Sequence, residues 1–346
     1  MRNLLQRLLR PFLTWLAAKI SSAPDSRKVH SSLTRLLNSM IRTPGKRGTV
    51  LEVDFSTDSI IVFSDHHKGD KSSSDDFENN EPNYLAALAY YNTNQFTYIN
   101  LGDSEELWKF KPKDVISRNA KALQAEALFH ERSAYYKTFG NHDLIWKNPL
   151  DVILWFKDIF SMPLPVLEGI LLKTIVERKP LTIYLTHGHQ GDKMSDNNVV
   201  TTWIVAHLWQ PVQRYLRINI NTPAKDYKLR GKHNIMMYDW SARKDGLVLI
   251  TGHTHMPVFA SGRYSDHTNN NVISGPEKRP RYLIKPSYFN SGCCCYNDGD
   301  ITGIEISENQ IRLVRWHVNN GISERIILEQ NDLSTLVSDL TAKSSG

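Results

Sequence analysis

Apolar and polar positions follow two different periods along this chain. In the first fifty residues the period is helical. Leu4, Leu5, Leu8, Leu9, Phe12, Leu13 and Leu16 recur at three- and four-residue spacing, with Arg2, Arg7 and Arg10 off that stripe. Val29, Leu33, Leu36, Leu37, Met40 and Ile41 repeat the pattern, and Pro11 kinks or restarts the first of the two helices. From about residue 48 short β-branched runs take over, each ending in a polar cluster. Ile60 to Phe63 runs into Ser64-Asp65-His66-His67, Thr97 to Leu101 into Gly102-Asp103, and Tyr135 to Phe139 into Gly140-Asn141-His142-Asp143. Leu181 to Thr186 runs into His187-Gly188-His189, and Leu247 to Thr251 into Gly252-His253-Thr254-His255. Helical patterns at Asn83 to Tyr91 and Ala120 to His130 separate the early runs. Strands alternating with helices predict an α/β fold. Open α/β sheets place their sites beyond the carboxyl ends of strands, so the five clusters are predicted to converge on one rim.

Composition narrows the class. A chain of 346 residues with 40% hydrophobic residues can bury a sizeable core, as two domains or as one with an insertion. The apolar run Pro11 to Ala18 is far shorter than the roughly 20 residues a membrane-spanning helix needs. The three cysteines, Cys293, Cys294 and Cys295, are adjacent and form no spaced disulfide framework, which points to a reducing, cytoplasmic setting. Since neighbouring strand residues face opposite ways, the three thiols read as small buried hydrophobes rather than as a thiol metal site.

The net charge of +6 hides an asymmetry. Residues 1–50 hold ten Lys or Arg and one acid, net +9, which leaves the rest of the chain at −3. A mildly acidic body argues against a nucleic-acid partner, because phosphate-backbone binding needs clustered cations. For the basic, leucine-striped arm three readings stand: an amphipathic element in peripheral contact with an anionic inner-membrane face, a helical hairpin packed on the domain, or a targeting peptide.

Asp, Asn and His offer hard oxygen and borderline nitrogen donors, which suit Mn, Fe or Zn. Two cations about 3.5–4 Å apart need a shared anionic ligand between them. The ordered set Asp65-x-His67, Gly102-Asp103-x-x-Glu106, Gly140-Asn141-His142-Asp143, His187-Gly188 and Gly252-His253-Thr254-His255 resembles the calcineurin-like metallophosphoesterases. That resemblance implies a two-sheet α/β/β/α sandwich with two divalent metal ions at the strand rim. Position by position it implies that Asp103 bridges the metals, that Asp65, His67 and His255 complete the first, and that Asn141, His187 and His253 complete the second. It further implies hydrolysis of a phosphomonoester, phosphodiester or pyrophosphate by a metal-bridging hydroxide, with His142 as general acid oriented by Glu106.

On this reading residues 1–48 are the amphipathic arm, 49–320 the metallophosphoesterase domain with a helical lid insertion at 190–246, and 321–346 a C-terminal extension. The lid combines Trp203, Leu208 and Trp209 with Arg214, Arg217, Lys225, Lys228 and Arg230, a mix suited to a lipid- or nucleotide-linked phosphoester. His189 and Arg214 are the candidate substrate contacts. His66 should point away from the centre. His130, His207, His233, His267 and His317 have no motif context. Gly-Asp-x-x-Glu-x-Trp at Gly102 to Trp108 is similar to the UDP-2,3-diacylglucosamine pyrophosphohydrolases. Ser104 to Lys109 lacks the Arg, and residue 143 is not the Glu, of the family's Ser/Thr protein phosphatases. The alternative is a catalytically weak scaffold or binding protein of the same fold. Such proteins typically lose ligands, and here every ligand position is filled.

Overall fold

Why two sheets stack here is visible in the strands themselves. A computed structural model describes residues 25–191, 227–260, 262–263 and 285–341. In chain order the first elements are α1 (Ser26–Arg42), β1 (Gly48–Glu52), β2 (Ile60–Phe63), α2 (Glu81–Thr93), β3 (Thr97–Leu101), α3 (Pro112–Arg118), α4 (Ala120–Glu131) and β4 (Tyr135–Thr138). A 3₁₀ turn (Leu144–Lys147) leads into α5 (Pro149–Phe156), β5 (Val166–Leu167), β6 (Gly169–Val176) and β7 (Lys179–Thr186). Then come α6 (Tyr227–Ser241), β8 (Leu247–Thr251), β9 (Val258–Phe259), β10 (Gly262–Arg263) and β11 (Tyr288–Asn290). The chain closes with β12 (Ile301–Ser307), β13 (Gln310–Asn319), β14 (Ile322–Asp332) and α7 (Leu333–Thr341).

One sheet has the order β1-β6-β7-β8-β11-β9-β10 and the other β14-β13-β12-β2-β3-β4-β5. Strands β2, β3 and β4 run parallel, as do β7, β8 and β11, so their carboxyl ends share a rim. Both faces of these strands are buried, which is why they read as continuous apolar runs rather than alternating ones. Ile60, Val62, Ile99 and Leu101 face Ile170, Leu172, Ile183, Leu185, Val248 and Ile250 between the sheets. Ile61, Phe63 and Tyr98 turn the other way, into a layer with Tyr84, Leu88 and Leu123 of α2 and α4. On the far side Leu171, Tyr184 and Leu249 pack under α1 and α6. Helix, sheet, sheet, helix is the sandwich that the motif order implies.

Three segments bear on the domain boundaries read from the sequence. In the basic arm, residues 1–24 lie outside the described residues. Helix α1, capped by Asp25, buries Val29, Leu33, Leu36, Leu37 and Met40 against the sheet and α6. That stripe is therefore core, because the outer face of β6 and β7 is itself apolar and needs covering. In the proposed lid, residues 192–226 lie outside the described residues, while α6 joins the outer helical layer through Met237, Tyr238 and Trp240. The C-terminal extension is integral to the domain. β14 pairs with β13 along its length, and α7 inserts Leu333, Leu336, Val337 and Leu340 into the core between the sheets. A tight turn at Asn320-Gly321, both with positive φ, joins β13 to β14.

Candidate metal centre

The five polar clusters meet at one end of the two sheets, and the backbone is distorted to bring them there. Asp65, His67, Asp103, His253 and His255 all have φ between 48° and 68°, the left-handed region that non-glycine residues seldom enter. Such residues cost energy and persist where the surroundings over-determine them, which is common at functional sites. Two glycines allow the close packing. A Cβ at Gly140 would overlap Asp103 Oδ1, and one at Gly252 would overlap Asp65 Oδ2. Each glycine therefore lets one motif lie against the carboxylate of another. Asp143 ties the second and third motifs together, its two oxygens accepting from the backbone N–H groups of Gly140 (2.6 Å) and Ser104 (2.8 Å).

Asp65 Oδ2 is occupied by the Ser64 hydroxyl and the His253 N–H, which leaves Oδ1 facing inward. Around Oδ1 lie His255 Nε2 at 3.2 Å and His67 Nε2 at 3.9 Å, and these two nitrogens are 3.1 Å apart. Asp103 divides its oxygens in the same way. Oδ1 accepts from the His142 N–H at 2.7 Å, while Oδ2 lies 3.1 Å from His187 Nε2 and 3.9 Å from His67 Nε2. One oxygen thus stands between the two histidine sets. His253 joins Asp103 and His187 in a group whose donor atoms lie within 4.8 Å of one another. His187 is aimed by its Nδ1, 2.9 Å from the Leu101 carbonyl.

Asp65 Oδ1, Asn141 Oδ1 and His187 Nε2 are buried without a hydrogen-bond partner. Buried polar atoms are otherwise almost always satisfied. Orphans that converge from three motifs fit cations, so the donor set suits the divalent metals that the motifs imply. Without a cation, burial pushes the Asp103 carboxyl up, but His187 and His142 outweigh it and hold it well below the usual range. His187 is correspondingly raised to about 9, against burial, by Asp103 and Asp65. The pocket stabilises positive charge at its centre.

His142 sits beside this group. Its Nδ1 is 2.9 and 3.0 Å from the two Glu106 oxygens, and its ring stacks on Trp108 at 4.0 Å between centroids. Burial lowers its pKa, but Glu106 and Asp103 reverse that and raise it. Glu106 also lies 3.1 Å from His67 Nδ1. A single carboxylate therefore orients a ligand histidine and the proposed acid together, a link the sequence spacing did not show.

Other histidines fall elsewhere. His66 is buried behind the centre, edge-on to Tyr84 and Phe77, with Nε2 3.1 Å from the Tyr98 hydroxyl. His189 is buried against Phe139 and His187. Burial, with the His187 charge, takes its pKa down to about 3. Arg214 lies outside the described residues. The sequence reading passed over His233, whose Nε2 is 2.7 Å from the Gly188 carbonyl and whose ring lies 5.1 Å from that of His253. Asn290, in a stretch similar to the family's late Asn-x-Gly strand, donates its Nδ2 to the Gly252 carbonyl at 2.6 Å and holds the last histidine loop. Among the thiols, Cys293 and Cys294 are buried as their sequence reading expects, while Cys295 is partly exposed. They follow β11 in a loop, where Cys294 joins the core but Cys295 Sγ lies 3.6 Å from His255 Nδ1.

A two-sheet sandwich with this rim defines a metallophosphoesterase architecture. The chain belongs to the calcineurin-like phosphoesterase family, whose family model matches residues 59–257, more than half of its length. No curated protein sequence matches it significantly. Among solved structures, Vacuolar Protein Sorting 29 from Cryptosporidium parvum is similar at 13% identity and a TM-score of 0.35, covering 81% of this chain and 100% of its own. A single mutant of Vps29 from Entamoeba histolytica aligns at 13% identity and a TM-score of 0.31, covering 78% and 99%.

Proposed function

We propose that the protein is a dinuclear-metal-dependent phosphoesterase. The observation that carries this reading is the position of Asp103 Oδ2, within 4 Å of imidazole nitrogens from both histidine sets. Asp65, His67, His255 and Asp103 would hold one cation, and Asp103, Asn141, His187 and His253 the other. When bound, two such cations polarise phosphoryl oxygens and supply a nucleophilic water at neutral pH. The chain's own part is acid catalysis. His142, held by Glu106 and raised in pKa, donates its proton to the leaving oxygen. Trp108 closes one face of that imidazole and keeps its orientation.

The family's range of phosphoesters is wide, and one feature narrows it here. Directly after His142 the surface carries Ile145, Leu150, Ile153 and Leu154, all exposed. This exposed apolar ledge, which follows the acid along the chain, favours a substrate with a lipid or other greasy portion next to its phosphate. The likeness of Gly102 to Trp108 to UDP-2,3-diacylglucosamine pyrophosphohydrolases points the same way.

The test is Asp103→Asn. We expect the purified variant to lose at least one metal ion per chain by elemental analysis and to lose turnover of an aryl phosphodiester assayed with added Mn. Retention of both metals and of activity would overturn the assignment. For the substrate class, a panel of soluble and acyl-bearing phosphoesters should show Leu150→Ser/Ile153→Ser/Leu154→Ser raising KM for acyl-bearing compounds alone. An equal effect on both sets would refute the ledge.

A further inference from the structure

A cavity of about 330 Å³ opens beside α1, at a place to which the phosphoesterase reading gives no role. Three separate stretches of chain bring cations to it. Helix α1 supplies Arg35, the turn before β1 supplies Lys46 and Arg47, and the 3₁₀ turn that follows His142 ends on Lys147. Ser32, Phe139, Val166 and Glu168 complete the described wall. Four cations thus line the cavity with one carboxylate, a net charge of +3. Three of the four belong to the basic first fifty residues, so part of that charge excess is gathered here.

Held backbone presents these side chains. Ser32 is buried, and its hydroxyl oxygen accepts from Arg35 Nη2 at 3.0 Å. The turn that carries Lys46 and Arg47 is closed by the Gly45 N–H on the Gly48 carbonyl at 2.7 Å. Glu168 clamps that turn twice, through its N–H on the Arg47 carbonyl and through its carboxylate on the Arg47 guanidinium at 2.6 and 2.9 Å. Lys147 follows Trp146, whose indole is anchored on Glu105 at 2.8 Å. Elsewhere in the body cations are set against acids, Lys68 and Lys137 on Glu105 and Arg312 and Arg325 on Glu305. Like charges drawn into one concavity repel, and an anion bound among them offsets that cost.

We propose that this cavity is a second anion site, which takes a phosphate group other than the one at the metal centre. A tetrahedral dianion balances more of a +3 wall than a carboxylate does, and a guanidinium fork matches its oxygens. The volume lies at the small end of the range for ligand pockets, and Phe139 and Val166 give an organic portion an apolar surface to rest on. Phe139 also links the two sites. It directly precedes Gly140-Asn141, and its ring lies 6.0 Å from that of His189, which lies 5.4 Å from that of His187. The group bound is either the second phosphate of a substrate or that of a free phosphate compound. The site stands apart from the metal-centre reading, since none of its residues is a donor there.

Calorimetric titration of the Mn-loaded full chain with inorganic phosphate tests this. We expect a binding event that weakens with added salt and by at least about tenfold in Arg35→Gln/Lys147→Gln. Both side chains are exposed, so their replacement leaves the packing intact. Lys157→Gln, at an exposed lysine outside the cavity, should leave the event unchanged. Asp103→Asn should keep it while phosphate binding at the metal centre is lost, so a failure of the metal reading shows separately. A titration of the double variant that matches the parent's would overturn the proposal. Turnover of aryl phosphoesters with and without a second phosphate then identifies the source. A KM that rises in the double variant for the doubly phosphorylated compound alone assigns the cavity to the substrate, and the lack of a selective rise assigns it to a free phosphate.

Discussion

At the scale of single residues, the centre is built by dividing the work of each carboxylate. Asp65 and Asp103 each use one oxygen to accept from backbone N–H groups or a hydroxyl and turn the other towards imidazole nitrogens, and Glu106 is shared between His67 and His142. This division makes two substitutions distinguishable. His142→Ala should keep both metals while kcat falls by roughly 10²–10⁴-fold, and the loss should shrink for substrates whose leaving group needs no proton. An equal loss for good and poor leaving groups would refute the acid role. Glu106→Gln removes the carboxylate from both histidines, so it should also lower metal affinity by about 10–100-fold. Metal titration of the two variants side by side checks the difference. If both bind metal like the parent, Glu106 has no part in holding His67.

At the scale of elements, the decisive units are the strand ends and the helix that covers the outer sheet. Each ligand loop follows a strand buried on both faces, so its position is set by sheet register rather than by its own sequence. Behind the rim, Lys68 is buried between Glu105 and Glu126, and Glu105 also receives Lys137 and the Trp146 indole. Burial pushes Glu105 up, but the two lysines prevail and hold it down at about 2. Breaking a buried pair by removing one partner costs about 3–5 kcal/mol, because the other charge is left uncompensated. Lys137→Met should therefore lower stability by that order in urea unfolding, and a loss below 1 kcal/mol would show that the network is slack. Helix α1 contributes differently, through an apolar face supported by hydrogen bonds to α6, such as the Trp240 indole donating to Thr34 Oγ1 at 3.0 Å. Leu36 is fully buried among Leu171, Tyr184 and Met237. Leu36→Ala should cost about 2–5 kcal/mol by the same measurement while metal content stays unchanged.

At the scale of the whole molecule, both termini of the described chain are structural. The first helix seals the outer sheet, and the last strand and helix seal the core between the sheets. A chain ending at Asn320 would expose Leu313, Val314 and the cavity left by α7, so it should be insoluble or bind hydrophobic dyes. A chain beginning at Asp25 keeps α1 and should fold and turn over a soluble phosphoester like the full chain. Loss of fold in the second truncation would place residues 1–24 in the core. The charge asymmetry makes the same truncation informative about surfaces. Of the ten cations in the first fifty residues, four precede residue 25, four lie in α1 and two follow it, so vesicle co-sedimentation of the two chains locates any attraction to anionic lipid.

The sequence by itself determined the class of fold, the order of the motifs and which candidate donor residues they carry. Those features are local: a run buried on both faces is apolar throughout, and Asp, Asn and His in tight polar clusters follow it directly. Three things were decided only in three dimensions. The leucine stripe of α1 is amphipathic whether it meets a membrane or a sheet, and only the apolar outer face of β6 and β7 chooses between them. The join of β14 and α7 to the core rests on pairing and packing across the sandwich, which no local pattern reports. Finally, Glu106 reaches His67 across 39 positions and Cys295 reaches His255 across 40. Contacts at such separations arise from sheet order, because neighbouring strand ends bring together loops that the chain itself keeps apart.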